Sequence, residues 1–388
     1  MRLHIVSKTE GASIPFLRGI LTRSLQKAGL PFEDAYKIAS DARDLLEDRE
    51  EIPGDELRRE VVRLLENNGH SEHVESYLGP RAEAEGIRVL TSDGSDAPFS
   101  KGQLADSLEI CALPRETLYD LAIRIETELV QTDCTEVTSS ELTGLVLEAL
   151  ERDISKPAAE DFRRWVDFSH SGRPLVILIG GTTGSGKSSV SSELAHRLDI
   201  VRTQSTDMLR EVMRLLVPER LVPTIHTSSF EAFEKLPVVN TTPSEKDMVQ
   251  GYLAQSSQVA VGIEGVLNRT ANESVSLIVE GVHLHPRLMA EIAERSDCIV
   301  VPVLLSVLKA KRLKKRLIGR GHLIQSRRSE RYIKNFDRIW DLQSFLLDEA
   351  DQFDIPIIPN NNEEAAVRAV LQTVSGVLRR EFDVPTQP

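Results

Sequence analysis

The chain predicts an α/β fold in which a mostly parallel sheet is covered by helices on both faces, preceded by two small, mainly helical modules. Three observations predict it: a glycine-rich pattern at residues 181–188, an alternation of apolar runs with helical periodicity from Leu175 onward, and an internal repeat near the N-terminus.

The repeat comes first along the chain. Sliding the N-terminal region by 83 positions brings Pro15, Phe16, Gly19, Leu21, Ser24, Leu25, Leu30, Pro31, Glu33, Tyr36 and Ala39 onto identical residues, eleven identities in a 25-residue window. Each copy reads as a short β-like segment, a helix opening near Pro-Phe, a Leu-Pro break, a second helix with the Tyr and Ala, and a third helix. The third helix is expected over Gly54 to Asn67 in one copy and Ser139 to Arg152 in the other. Two modules, 1–85 and 86–152, follow, with a linker at about 153–174 punctuated by Ser-Lys-Pro and Ser-Gly-Arg-Pro.

From Leu175 the pattern changes. Apolar runs at Leu175–Ile179, Ile200–Gln204, Ser276–Glu280, Cys298–Leu305 and Ile355–Ile358 alternate with helical segments, which predicts parallel strands over 153–388. Ligands of such sheets bind beyond the carboxyl ends of the strands.

Composition sets bounds. A chain of 388 residues is long enough for two or three domains. No apolar run reaches the roughly 18 residues that cross a bilayer, and the start lacks a signal peptide's apolar core, so a cytoplasmic protein without membrane contact is expected. Cys111, Cys134 and Cys298 lie far apart and form no C-x-x-C pair, which argues against a disulfide framework or a zinc site. The net charge is −13, and the acidic excess lies wholly in residues 1–150, with 16 Lys/Arg against 29 Asp/Glu. Residues Lys309 to Arg331, by contrast, hold ten Lys/Arg and the single acid Glu330. That cluster has no second basic surface and few aromatic neighbours to support it, so nucleic acid is not expected as a partner.

The chemistry centres on Gly181-Thr182-Thr183-Gly184-Ser185-Gly186-Lys187-Ser188, which matches G-x-x-x-x-G-K-[ST] between a strand and a helix. There, backbone N–H groups of residues 181–189, Ser189 included, converge on phosphates, Lys187 reaches the terminal ones, and Ser188 can ligate Mg²⁺. A nucleoside triphosphate is the expected ligand. Glu280, at the end of its strand, is placed to hold a water on that Mg²⁺.

Asp207, Arg210 and Arg214 follow the second strand at i, i+3 and i+7, and so share one helical face. A carboxylate beside two guanidiniums suits an acceptor with a hydroxyl and anionic groups, Asp207 taking the hydroxyl proton. His283 and Arg287 are further candidates for binding an acidic acceptor. The basic cluster, with Gly319 and Gly321 between helical stretches, reads as a hinged lid whose Arg316 and Arg320 deliver positive charge to the transferring group.

Several stretches, IGGTTGSGKSSVSSELAHRL, STDMLREVMR, HTSSFEAF and above all GIEGVLNRTANESVSLIVEGVHLHP, look like the archaeal-type 2-phosphoglycerate kinases. The repeat PFLRGILTRSLQKAGLPFEDAYKIA resembles the ATP-cone-like module at that family's N-terminus. The resemblance implies a P-loop kinase that transfers the ATP γ-phosphoryl to the 3-hydroxyl of 2-phosphoglycerate, giving 2,3-bisphosphoglycerate and ADP. Another small anionic acceptor, such as a sugar or polyol phosphate, and a nucleotide-sensing regulatory protein remain the alternatives. The chain departs from the simplest family pattern by carrying two modules, whose ribbons offer only Lys8, Arg18 and Lys101 to a nucleotide. A packing or homo-oligomer role is at least as well supported for them.

Overall fold

The computed structural model describes residues 4–6, 13–16, 18–28, 30–46, 49, 51–74, 77, 87–91, 96–132, 134–236, 244–323 and 326–383, with the side chains of 320–329 outside the description. The chain divides into two compact units, 1–87 and 88–388.

In the first unit, β1 (His4–Val6) pairs antiparallel with β2 (Ser13–Pro15) and parallel with β3 (Glu51–Pro53). Helices Arg18–Lys27, Phe32–Leu45 and Gly54–Asn67 bury Leu25, Ile38, Ala42, Val61 and Leu65 together with Ile52 of β3, a core made entirely within this unit. Arg18 stacks its guanidinium 4.3 Å from the centre of the Tyr36 ring. Lys8 lies outside the described residues.

The second unit opens with the same topology. β4 (Arg88–Leu90) pairs antiparallel with β5 (Asp96–Pro98) and parallel with β6 (Glu136–Thr138). Helices Lys101–Ser107, Arg115–Gln131 and Ser139–Asp153 follow the order of the first copy. The first two helices begin 83 positions after their counterparts, but β6 and the third helix begin 85 after theirs, because the middle helix runs 17 residues here against 14 in the first copy while the connection after it is one residue shorter. The third helix starts on a capping box, in which Thr138 and Glu141 satisfy each other's backbone N–H. Lys101 is engaged by Glu126 at 2.8 Å.

Helix Lys156–His170, with Ser155 as N-cap, leads into the larger sheet. Its strands β7 (Leu175–Gly180), β8 (Arg202–Ser205), β9 (Leu277–Gly281), β10 (Ile299–Ser306) and β11 (Ile357–Pro359) are all parallel, in the order β11-β10-β7-β9-β8. Central β7 is buried along its whole length, as a run with apolar side chains on both faces requires. Val176 and Leu178 face the helices Glu245–Glu273 and Phe336–Gln352, where Tyr252, Val259, Ile263, Leu342 and Leu346 complete one core. The alternate residues Leu175, Ile177 and Ile179 face the opposite side, on which helices Lys187–Arg197 and Glu363–Phe382 pack.

The 29-residue helix Glu245–Glu273 lies close against the 3₁₀ segment Ser229–Lys235 because Gly251 has no side chain: a Cβ there would stand 2.2 Å from the Phe233 nitrogen. No helix among the described residues is long and apolar enough to cross a membrane.

Candidate active site

The loop after β7 has glycines where the backbone must turn left-handed, with φ of 88° at Gly184 and 92° at Gly186. Alternation of such residues with ordinary ones aims successive N–H groups to one side, the geometry that cradles an anion. Lys187 begins the following helix, and its largely buried ammonium donates to the Thr182 carbonyl 3.0 Å away. The hydroxyls of Thr182 and Ser185 are buried in the same loop without a partner among the described residues, while Ser188 and Ser189 meet solvent.

β9 runs beside β7, with Glu280 opposite Ile179, and beside β8, with Glu280 opposite Ser205. The register brings three strand ends together. Ser188 donates its hydroxyl to Glu280 Oε1 at 3.1 Å. A hydroxyl and a carboxylate in contact at the mouth of the loop fit Mg²⁺, which takes one or two protein oxygens and keeps several waters.

Ser205 ends β8 and is the N-cap of helix Thr206–Leu216, so Asp207 stands in the first turn, next to the Glu280 strand end. Its carboxylate is 62% exposed. The two arginines of that helix face differ from the expectation of open forks. Arg210 is only 13% exposed and donates to the carbonyls of Ile225 at 3.0 Å and Thr227 at 3.2 Å, and to Glu211 at 2.9 Å. It braces the segment Pro223–His226 to the helix. Arg214, 41% exposed, lies 3.4 Å from Glu211.

His283 is also a correction to the expected acceptor contact. Its ring is fully buried, with Nδ1 2.8 Å from the Thr206 hydroxyl and Nε2 3.2 Å from Gln255 Oε1, so both nitrogens are engaged within the protein. Burial pushes its pKa down to about 4, against the charge of Asp207 and with those of Arg210 and Lys187. Gln255 in turn donates to the carbonyls of Thr224 and Thr227. Arg287 lies in the first turn of helix Pro286–Arg295, 63% exposed and paired with Glu291 at 3.0 Å, as a solvated surface pair would be.

The basic cluster does not form the hinge its glycines suggested. Gly319 and Gly321 lie inside helix Ala310–Leu323; helix Ser326–Lys334 comes next, and residues 324 and 325 lie outside the described residues. The first part of that helix is packed on the loop: a Cβ at Gly184 would meet Leu317 at 2.9 Å and Leu313 at 3.0 Å. Arg316 donates to the Ser185 carbonyl at 3.2 Å and to the Asn360 carbonyl at 2.9 Å, and burial lowers its pKa. The side chain of Arg320 lies outside the described residues. Arg331 pairs with Glu231 and stands 6.0 Å from the Phe230 ring.

Sequence reading missed Asn360, Arg312, Gln255 and Thr206. Arg312 donates to Asn361 at 2.8 Å, and Asn360 to Ser185 at 2.9 Å. The triplet Asn360-Asn361-Asn362 directly after the last strand was the available signal, since the carboxyl end of a parallel strand is where polar residues meet ligands. Thr206 and Gln255 carried none, for a buried polar contact between distant segments leaves no local pattern.

No family model matches the chain. It is 36% identical over 309 residues to the 2-phosphoglycerate kinase of Methanopyrus kandleri, an overlap of 79% of this chain and 92% of the relative. It is 32% identical over 289 residues to that of Pyrococcus horikoshii, covering 74% and 93%, and 31% over 309 residues to that of Pyrococcus furiosus, covering 78% and 99%. With near-complete coverage of these relatives and a phosphate loop assembled at the strand ends, the chain belongs to the 2-phosphoglycerate kinase family and is an ATP-dependent phosphotransferase with a hydroxyl acceptor.

Proposed function

We propose that the protein transfers the γ-phosphoryl group of ATP to the 3-hydroxyl of 2-phosphoglycerate, forming 2,3-bisphosphoglycerate and ADP. The observation that carries this reading is the register of β7, β9 and β8, which brings the phosphate loop, Glu280 and the Asp207 turn to one sheet edge. The names of the relatives supply the acceptor.

In this reading the N–H groups of residues 181–189 and the Lys187 ammonium hold the triphosphate. Ser188 and Glu280 hold Mg²⁺, which neutralises charge on the phosphate oxygens when bound. Asp207, whose side chain is 62% exposed with Arg210 Nε 3.6 Å from its carboxylate, accepts the proton of the attacking hydroxyl. Arg214, 41% exposed and paired among the described residues only with the half-exposed Glu211, turns from it toward the acceptor's carboxylate or phosphate, while Arg210 keeps the neighbouring segment in place. Leu313 and Leu317, seated on Gly184, keep water from the back of the loop. The module at 86–152 serves packing, a role supported by its buried ion pair with the kinase part at 153–388.

A coupled assay of ADP release with and without 2-phosphoglycerate, with the product identified by phosphorus NMR, tests the proposal. Acceptor-dependent release with a second phosphate ester in the product is expected. Release stimulated only by another phosphorylated alcohol would replace the acceptor, and ATP binding indifferent to every small acceptor would replace catalysis by nucleotide sensing.

A further inference from the structure

We infer that Asn360 is a positioning residue for the phosphate loop, fixing the Ser185–Gly186 peptide in the orientation that binds nucleotide. The inference rests on the reading of 181–188 as the nucleotide cradle. Asn360 follows β11, is 2% exposed, and is anchored by its own N–H to the Ser306 carbonyl at 2.8 Å. From there its side-chain amide donates to the Ser185 carbonyl at 2.9 Å. Its amide oxygen accepts from Arg316 at 3.3 Å, and its carbonyl accepts from the same guanidinium at 2.9 Å. This network determines which way the amide points: reversed, it would set oxygen against the Ser185 carbonyl and nitrogen against the Arg316 donor.

A trans peptide is planar, and its C=O and N–H point in opposite directions. Two donors pulling on the Ser185 carbonyl, Asn360 at 2.9 Å and Arg316 at 3.2 Å, therefore turn the Gly186 N–H to the other side, in line with the groups that converge on an anion. The approach is so close that a Cβ at Gly186 would stand 2.3 Å from the Asn360 amide nitrogen. Glycine at the sixth position of the motif is thus required by Asn360 as well as by its φ of 92°. An N–H left to rotate would have to be reoriented each time nucleotide bound, weakening binding of ATP without touching the acceptor.

The experiment compares Asn360→Ala and Asn360→Asp with the unmodified full-length protein, reading KM for ATP, KM for 2-phosphoglycerate, and the ATP dissociation constant by fluorescence titration without acceptor. Asn360→Asp keeps the shape and the Arg316 contact but sets a carboxylate oxygen against the Ser185 carbonyl. We expect ATP binding to weaken about tenfold in Asn360→Ala and about a hundredfold in Asn360→Asp, with the acceptor KM within about twofold of the unmodified value. Unchanged ATP binding in Asn360→Asp overturns the inference, and so does a parallel rise in both KM values, which is what a merely structural role would give. Should neither variant fold, Arg316→Lys, which keeps the charge but loses the fork that spans Ser185 and Asn360, must show the same ATP-selective loss, and its absence overturns the inference equally. Lys187→Ala run alongside separates the two levels: if it binds ATP normally the cradle reading fails, whereas loss in Lys187→Ala with none in the Asn360 variants removes only the role of Asn360.

Discussion

Lys187 and His283 show what burial does to a charged and a titratable group at this site. The Lys187 ammonium is nearly enclosed yet remains a donor to a loop carbonyl, so it is held in place by the loop it serves. Lys187→Ala should lower kcat by about 100-fold or more, the usual cost of removing a preorganised charge from a transferring phosphoryl group. Initial rates beside an unchanged far-UV circular dichroism spectrum would check it. His283 is buried as the neutral ring, and its folded pKa of about 4 lies below the unfolded value. The stability it contributes is therefore complete above the unfolded pKa and is lost as pH falls from there toward the folded one. At pH 5 the loss relative to pH 7 amounts to about 2 kcal/mol. Urea unfolding of the protein and of His283→Gln at both pH values should show that difference shrinking in the variant, since Asp207, Arg210 and Lys187, the charges facing the ring, are present in each. Neither behaviour was legible from residue identity: a histidine after a strand reads equally as a ligand contact or a buried polar group, and only its two internal partners decide.

At the scale of elements, the meeting of β9 with helix Thr206–Leu216 controls where Asp207 stands. Gly281 ends β9 against Thr206, and a Cβ there would come 1.7 Å from the Thr206 hydroxyl oxygen, which itself contacts His283. Gly281→Ala must push the first turn of that helix away from the strand ends. Overpacking of this kind costs about 1–3 kcal/mol in stability. Displacing a catalytic carboxylate by about an ångström costs about 100-fold in rate. A variant whose stability falls while its kcat is preserved would show that Asp207 need not sit at the sheet edge. The five strands and the helix after the phosphate loop were legible because each carries its own periodicity, whereas the register that places Glu280 opposite both Ile179 and Ser205 was not, since strand order and the last residue of β8 are decided only when the strands pair. The place of the two glycines in the basic cluster was misread at this scale. Gly319 and Gly321 suggested a break, but Leu313 and Leu317 hold the preceding turns onto Gly184, and a glycine inside a helix so anchored costs only about 1 kcal/mol each.

Across the second unit, the repeat module and the sheet are joined through the far end of the phosphate-loop helix. Arg197, 2% exposed, meets Glu109 of the module at 3.2 Å, together with Glu193 and Glu364. Arg115 closes the cluster on Glu109 at 2.7 Å. Burial alone would lower the Arg197 pKa, but the hydrogen bonds to Glu364 and Glu193 and the charge of Glu109 together raise it, so the guanidinium stays charged at any working pH. Arg197→Met leaves buried Glu109 short of a partner and should destabilise the unit by about 3–5 kcal/mol, whereas the double change Glu109→Met with Arg197→Met should recover much of that loss. Trp165 and Trp340 are the chain's two tryptophans and both lie in this unit, so urea unfolding followed by their fluorescence reports on it alone. Equal stability of the single and double variants would mean that the pair contributes nothing to the joint.

By itself the sequence determined the parallel sheet, the phosphate loop, the repeated module and the family, because each is written in local spacing or in long runs of similarity. Tertiary structure alone decided that Arg210 and His283 are internal braces, that Arg316 and Asn360 grip the loop from behind, and that Glu109 holds Arg197. Those roles depend on which hydrogen-bonding groups meet across segments as far apart as 88, 131 and 175 positions, and a chain's local pattern carries no record of the partners that burial forces its polar groups to find.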